Sequence, residues 1–303
     1  MFPSTAQFRL SSAPFSLQKD RLSGVELYIQ HFRGFNMETG CEPPRVVAGM
    51  PMYNEEETIG TVVTMALRHV DEVICIDDGS SDSSARIAEA CGATVIRHRG
   101  NQGYGAALKT LFKTMRSKDA DVLVVLDSDG QHDTSDIPKL VQPILDEEAD
   151  FTIGSRFIEG GEGNDMPAYR RLGIKVITAA SNLTSDLGIK DTQSGFRAFS
   201  RKAIDRLRFD ADGMELSLEM LEDAKEKQLS IQEVPTIIRY DVPKGSNFTA
   251  ISHGFTVLSW ALLSLSQKKP LLTLGIPGLG LLATGAAMGM NTATGFTLSL
   301  IHI

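Results

Sequence analysis

Short apolar runs alternate with longer amphipathic stretches from residue 45 onward. The clearest helical pattern spans 56–68, where Ile59, Val62 and Val63 begin a repeat at i, i+3 and i+4 and Asn54 is expected to cap the helix. The short runs have the length of buried strands, which are predicted at 46–50, 73–76, 94–96, 122–126 and 151–153. This alternation predicts an α/β fold with a mostly parallel sheet and helices on both faces.

Beyond residue 200 the last elements of the catalytic domain are followed by a segment that is expected to lie at a membrane. Helices are predicted at 201–207 and 216–227 and a strand at 231–238, and together with the preceding elements they complete a catalytic domain over 45–246. The next segment, 247–269, is rich in apolar residues and is expected to form an amphipathic helix beside a membrane.

An uncharged segment at 270–297 predicts a transmembrane helix, because about 20 apolar residues are needed to cross the hydrocarbon core. Pro277 and several glycines leave a buried hairpin as the alternative. Lys268 and Lys269 precede the segment, so the catalytic domain is expected on the cytoplasmic side of the cell membrane.

Both ends of the chain lack the pattern of a core element. Residues 1–44 form an N-terminal extension with scattered apolar positions and no signal-peptide order, and we hypothesise that Met37 is the natural start. Residues 298–303 resemble a translated sequencing-library end and are left out of the fold prediction.

Composition and charge narrow the range of partners. A net charge of -8 and a pI near 5.3 argue against nucleic acid, whose phosphates require a basic surface. The cysteines at 41, 75 and 91 form no CxxC pair, so reduced thiols in a cytoplasmic domain are expected.

Polar clusters follow three of the predicted strands, at residues 51–55, 77–82 and 127–132. Ligands of open α/β sheets bind at the carboxyl ends of the strands, so the three clusters together predict a site. Asp127 and Asp129 are spaced to hold Mg²⁺ or Mn²⁺ beside a diphosphate, and the amide oxygen of Gln131 can add a third ligand. His132 fits a packing role better than a ligand role, because its neighbours offer only oxygen.

The glycine-rich stretch 100–105, followed by Lys109, matches neither the phosphate loop GxxxxGK[ST] nor a dinucleotide fingerprint placed after the first strand. It is expected to begin a helix, with glycines that allow close approach to a ligand or a strand.

Five motifs in order carry a family resemblance. They are PMYNEE, DDGSSD, DSDGQH, GSRF at 154–157 and DTQSGFRAFS at 191–200. Over 45–255 the chain resembles family 2 glycosyltransferases of the dolichyl-phosphate mannose synthase type, and its tail is similar to that of archaeal members. The resemblance implies a GT-A fold, a GDP- or UDP-linked sugar as donor, a divalent cation, dolichyl or another polyprenyl phosphate as acceptor, and transfer of a hexose with inversion.

The resemblance also implies roles for particular residues. The nucleotide-sugar contacts fall on Pro51, Tyr53, Glu55, Ile76, Asp78 and Ser128, and the metal ligands on Asp127, Asp129 and Gln131. Arg156 and Arg170 match the arginines that hold the acceptor phosphate, beside the catalytic Asp129. Asp241 and Asn247 replace the arginine and the serine of the family pattern, and Lys244 is expected to supply the missing charge.

Two other functions fit the sequence. Transfer to a glycan hydroxyl requires a carboxylate base, for which Asp191 and Glu219 are the candidates, whereas an acceptor phosphate with a second pKa near ~6 is already largely ionised. A non-catalytic, membrane-anchored sugar-nucleotide-binding module is the alternative of another class, and the intact pair of Asp127 and Asp129 argues against it.

Overall fold

The structure is a computed structural model of the 303-residue chain. It describes residues 43–161, 174–175, 178, 188–213, 216–239, 266 and 270–301.

Strands and helices alternate through the first half of the domain. The elements are β1 (Val46–Met52), α1 (Ile59–Ala66), β2 (Glu72–Asp77), α2 (Ser84–Ala90), β3 (Thr94–Arg97), α3 (Tyr104–Arg116), β4 (Val122–Val125), a 3-10 turn (Thr134–Asp136), α4 (Ile137–Leu145) and β5 (Phe151–Ser155). The second half adds β6 (Arg197–Ser200), α5 (Arg201–Arg206), α6 (Leu216–Glu226), β7 (Ile231–Pro235), a π turn (Leu271–Gly275) and α7 (Ile276–Ile301). The five strands predicted before residue 155 are therefore confirmed, as are the helices at 201–207 and 216–227.

One seven-stranded sheet organises the domain, in the order β3-β2-β1-β4-β6-β5-β7. Every pairing is parallel except those of β6, which runs antiparallel to both β4 and β5. The chain leaves β1 toward β2 and β3 and later returns to the other side of β1 with β4. The carboxyl ends of β1 and β4 thus form a switch point, where open α/β sheets bind ligands.

Helices cover both faces of the sheet, as expected. One apolar cluster joins the sheet to α1, α2 and α4, and the other joins it to α3, α5 and α6. Strands β1 and β4 are buried on both faces, which explains their continuous apolar sequences.

The expected start of the first helix is wrong. Helix α1 begins at Ile59 rather than Glu56, with Thr58 in the cap position and no side-chain cap bond. Asn54 instead adopts a positive φ of 56°, and its side-chain oxygen accepts a hydrogen bond from the N–H of Ser81. The residues at 54–56 therefore bind the loop at 80–84, because tertiary hydrogen bonds replace the local cap.

The glycine-rich stretch begins a helix, as predicted. Gly103 precedes α3 with a φ of 97°, and the N–H of Gly105 donates to the carbonyl of Asp212 at 2.8 Å. A Cβ on Gly105 would lie 2.5 Å from the carbonyl oxygen of Ala211. The glycine therefore allows backbone to pack against backbone.

The C-terminal segment differs from the expectation for 270–297. A 26-residue helix, α7, does form, and it exposes Leu279, Leu281 and Leu282. Within the described part of the chain, however, no helix combines the length and the hydropathy of a membrane span. The predicted helix at 247–269 lies outside the described residues apart from residue 266.

The contact at Gly105 makes the first prediction. Gly105→Ala should destabilise the fold by about 1–3 kcal/mol, because the new methyl group overlaps backbone atoms that cannot rotate away. Gly100→Ala is the matched control, since a Cβ there has no atom within 4 Å, and we expect a change below about 0.5 kcal/mol. Urea denaturation measures both, and equal stability of the two variants would contradict the packing argument.

Candidate active site

The ends of β1 and β4 are tied together at the switch point. The Ser128 hydroxyl donates to the carbonyl of Pro51 at 2.9 Å, and the Thr58 hydroxyl donates to the carbonyl of Ser128 at 2.8 Å. The side chain of Ser128 is buried, so any contact of this residue with a nucleotide has to share its hydroxyl with Pro51. These bonds fix the loop that carries the acidic pair relative to β1.

The loops after β1 and β2 interlock. The N–H of Asn54 donates to the Ser80 hydroxyl at 2.9 Å, and the N–H of Glu55 donates to the Ser84 hydroxyl at 2.6 Å. The Tyr53 side chain is 39% exposed, which leaves its ring available to a ligand. Two of the three predicted polar clusters therefore form one rigid wall.

Asp78 anchors the glycine-rich loop. Its buried carboxylate accepts the N–H groups of Gln102 and Gly103, at 3.0 Å and 2.8 Å respectively, and lies 2.7 Å from Nδ1 of His98. The side chain of Ile76 is fully buried in the core, so only its main chain can reach a nucleotide. Ile76 and Asp78 thus both lie at the carboxyl end of β2, and the Asp78 carboxylate is already bonded to the glycine-rich loop.

The acidic pair leaves the end of β4 as expected. The Asp129 carboxylate accepts the N–H of Gln131 at 2.9 Å, so the three proposed metal ligands share one turn. Burial raises the pKa of Asp127 to about 6, and the charges of Arg197 and Arg156 act in the opposite direction. A Cβ on Gly195 would lie 2.8 Å from an Asp127 oxygen, so a glycine is required beside this carboxylate.

Glu55 adds a third carboxylate to the same pocket. Burial raises its pKa to about 7, and the negative charges of Asp129, Asp82 and Asp127 contribute to the rise. Negative charge is therefore concentrated where a cation would relieve it.

His132 packs rather than projecting into the pocket. Its ring stacks on Phe196 at 5.0 Å, and its Nδ1 accepts the N–H of Asp127 at 3.3 Å. Burial lowers the pKa of His132 to about 4, so the ring is neutral near pH 7. The predicted packing role agrees with this geometry.

Arg197 is a site residue that sequence reasoning missed. Its buried guanidinium donates to the carbonyls of Ser194 and Thr192, at 2.8 Å and 2.9 Å. Burial lowers its pKa to about 10, while the negative charges of Asp191 and Asp127 oppose the shift. An arginine between Phe196 and Ala198 was the available signal, and the strand itself was missed because only two of its four residues are apolar.

Arg156 and Asp191 form a buried fork. Nε and one terminal nitrogen of Arg156 donate to the two Asp191 oxygens, at 2.6 Å and 2.7 Å, and both side chains are buried. Glu233 on β7 accepts the N–H groups of Lys190 and Asp191, both at 2.9 Å. The predicted acceptor arginine is thus held by a carboxylate that the sequence left open as a catalytic base.

Glu219, the other candidate base, is also engaged. Its two oxygens accept the N–H groups of Asp210 and Ala211, both at 2.9 Å. It fastens the loop that packs against Gly105. Arg170 and Lys244, predicted to bind phosphate and nucleotide sugar, lie outside the described residues.

The mixed sheet, its switch point and the acidic pair define the class of protein: an α/β enzyme with a GT-A-like fold. The family model for glycosyl transferase family 2 matches residues 48–208, and the chain therefore belongs to this family of glycosyltransferases.

Relatives with assigned names agree with this membership. The chain is 33% identical over 245 residues to a UDP-N-acetylglucosamine–dolichyl-phosphate N-acetylglucosaminyltransferase of Methanococcus voltae, covering 73% of this chain and 96% of the relative. It is 31% identical over 196 residues to a dolichol-phosphate mannosyltransferase of Pyrococcus furiosus, covering 61% and 54% of the two chains. The structure is similar to glucosyl-3-phosphoglycerate synthase of Mycobacterium tuberculosis, crystallised with Mn²⁺, UDP and phosphoglyceric acid, with a TM-score of 0.59, 23% identity and coverage of 78% and 82%. The similarity to the Mycobacterium tuberculosis enzyme, at 23% identity, shows a shared fold only.

The residues at the end of β4 fit a hard divalent cation. Two carboxylates and an amide on one turn suit Mg²⁺ or Mn²⁺, whose remaining positions are commonly filled by phosphate oxygens and water. Within the described ranges, no group of three or more His, Cys, Asp and Glu side chains is arranged as a metal site.

The acidic pair makes the second prediction. Loss of a residue that only supports a metal ligand typically lowers activity by about 10–100-fold. Asp129→Ala should lower the transfer rate by more than this, because it removes a direct ligand. The melting temperature should change by less than about 2 °C, since the side chain is at the site and not in the core. Asp119→Ala, at an exposed position, is the matched control for removing a carboxylate.

Titration calorimetry with Mn²⁺ and the transfer rate check this prediction together. If Asp129→Ala bound Mn²⁺ and turned over as the wild type does, the acidic pair would not be the metal site.

Proposed function

We propose that this enzyme transfers a hexose from a GDP- or UDP-linked sugar to dolichyl or another polyprenyl phosphate, with inversion and with Mg²⁺ or Mn²⁺ as cofactor. The observation that carries the proposal is the fork between Arg156 and Asp191, which holds a cationic group beside the acidic pair. The names of the relatives from Methanococcus voltae and Pyrococcus furiosus support the same acceptor class.

An arginine in this position suits a phosphate acceptor. A planar guanidinium can bind phosphate at two points, and the fork to Asp191 fixes its orientation. The charge of Arg156 also acts on the pKa of Asp127, so the arginine lies within electrostatic range of the proposed cation site. An acceptor phosphate held there would be close to the donor diphosphate.

The fate of the two candidate bases also favours phosphate over a hydroxyl. Asp191 is committed to Arg156, and Glu219 is committed to two backbone amides. A hydroxyl acceptor needs a carboxylate to remove its proton, whereas an ionised phosphate does not. The engaged carboxylates therefore suit an acceptor that needs no general base.

The chain's own residues then perform binding and orientation. Asp127, Asp129 and Gln131 would hold the cation, which when bound neutralises the charge that develops on the departing nucleoside diphosphate. The wall formed by Tyr53, Glu55 and the loop held by Asp78 would bind the nucleotide. Pre-set geometry of this kind lowers the barrier by positioning the two phosphates.

The donor is identified most directly by a substrate screen. Purified protein is incubated with Mn²⁺, undecaprenyl phosphate and, in separate reactions, UDP- and GDP-linked sugars, and lipid products are identified by mass spectrometry. Failure of all the donors on the lipid, with transfer to a free glycan instead, would overturn the proposed acceptor.

A lipid acceptor places the enzyme at a membrane surface, and we propose the cytoplasmic face of the cell membrane. The exposed leucines of α7 offer an apolar surface for this association. Lys268 and Lys269 precede that helix in the sequence and favour the cytoplasmic side.

The third prediction tests the acceptor arginine. Arg156→Lys should lower transfer to undecaprenyl phosphate by about 10–100-fold, because lysine cannot make two parallel bonds to phosphate. The KM for the nucleotide sugar should change far less. With the wild type, the rate should rise through the second pKa of the acceptor phosphate, about 6, and then level off.

Two further variants make this test specific. Arg68→Lys, at an exposed position on another part of the surface, controls for the substitution itself. Asp191→Asn should raise the acceptor KM, since asparagine has only one acceptor oxygen and the two-point bond that positions Arg156 would be lost. If Asp191→Asn instead lost kcat and kept its acceptor affinity, Asp191 would be a base and the acceptor a hydroxyl.

The fourth prediction concerns membrane attachment. A chain ending at Gln267 should move from the membrane fraction to the supernatant in salt washes, because it lacks the exposed apolar surface of α7. The full-length double variant Leu281→Glu with Leu282→Glu should be released similarly, without loss of any segment. Retention of both proteins on membranes after carbonate extraction would exclude α7 as the attachment.

A further inference from the structure

The loop at 191–195 is held rigidly from both sides. Asp191 is fixed by Arg156 and by Glu233, and the carbonyls of Thr192 and Ser194 accept bonds from Arg197. Burial surrounds this backbone, since Asp191, Thr192 and Ser194 are all nearly inaccessible to solvent. The loop therefore presents whatever projects from it in one fixed place.

Gln193 lies at the centre of this loop. It is two residues from Asp191, which holds the acceptor arginine, and two residues from Gly195, where a Cβ would lie 2.8 Å from an Asp127 oxygen. Its position in the chain is therefore midway between the proposed acceptor site and the proposed cation site.

The amide nitrogen of Gln193 is buried and has no hydrogen-bond partner among the residues that the structure describes. A buried donor without a partner costs free energy, so such groups are rare in folded proteins and mark sites of strain or of ligand binding. Two buried hydroxyls among the described residues also have no hydrogen-bond partner. Ser155 directly precedes Arg156 at the end of β5. Thr236 directly follows β7, and its N–H donates to the carbonyl of Ser155.

We propose that Gln193 is an acceptor-binding residue whose side-chain amide donates a hydrogen bond to a phosphate oxygen of the polyprenyl phosphate, beside Arg156. The inference rests on the proposed function and adds a neutral donor to the cationic one. A neutral donor suits this place, because it binds an anion without competing with the cation for the Asp127 carboxylate. The diphosphate of the sugar donor offers the same phosphate oxygens, but the position of Gln193 next to the Arg156 fork favours the acceptor phosphate.

The test compares Gln193→Ala and Gln193→Glu with the wild type on undecaprenyl phosphate. Gln193→Ala should raise the KM for the lipid phosphate by about tenfold, as expected for one lost hydrogen bond to a charged group, with the nucleotide-sugar KM within about twofold. Gln193→Glu should raise the lipid KM further, because a carboxylate repels phosphate. Gln232→Ala and Gln232→Glu, at an exposed position on β7, are matched controls and should leave both constants unchanged.

Stability separates binding from a structural role. Removing a donor that has no protein partner should leave the melting temperature of Gln193→Ala unchanged or slightly raised. A lower melting temperature with unchanged lipid KM would overturn the proposal, and so would a rise confined to the nucleotide-sugar KM. If the wild type itself does not use undecaprenyl phosphate, the proposed function fails; if it does and the Gln193 variants match it, only this inference fails.

Discussion

Negative charge gathered at the carboxyl ends of β1 and β4 is the constraint on which the rest of the site depends. Burial and the neighbouring carboxylates raise the pKa of Glu55 to about 7, and burial raises that of Asp127 to about 6. Such a cluster is costly unless cations approach it. Arg197 lies on β6 and Arg156 follows β5, so their positive charges offset the negative charge at the ends of β1 and β4.

Other carboxylates around the site act as anchors for loops. Asp78, Glu219 and Glu233 each accept two successive backbone N–H groups, and each fastens a different loop around the site. The site is thereby built from loops held as firmly as the strands that carry them. For a reaction between two anionic substrates, such preorganisation keeps the groups that stabilise charge in place before the substrates arrive.

The fold was largely predictable because periodicity and strand length are local properties. The strands at 46–50 and 122–126 and the helices after residue 200 follow from apolar spacing alone, and the ordered motifs at the strand ends identified the family. Strand β6 escaped because only two of its four residues, Ala198 and Phe199, are apolar, and its antiparallel direction depends on pairing with β4 and β5. The cap assigned to Asn54 failed because the loop after β2 offered a stronger partner.

The sequence by itself determined the α/β class and the acidic pair at 127 and 129, since residue types and their spacing are sufficient for these, and the family resemblance added Arg156 as a phosphate-binding candidate. Only the tertiary structure decided which charges meet. Asp191 and Glu219 were equivalent candidates for a base in the sequence, and folding gave one to Arg156 and the other to a pair of backbone amides. Arg197 and Gln193 gained their places in the same way, because an electrostatic or hydrogen-bonding role depends on distances across the sheet, which spacing along the chain does not determine.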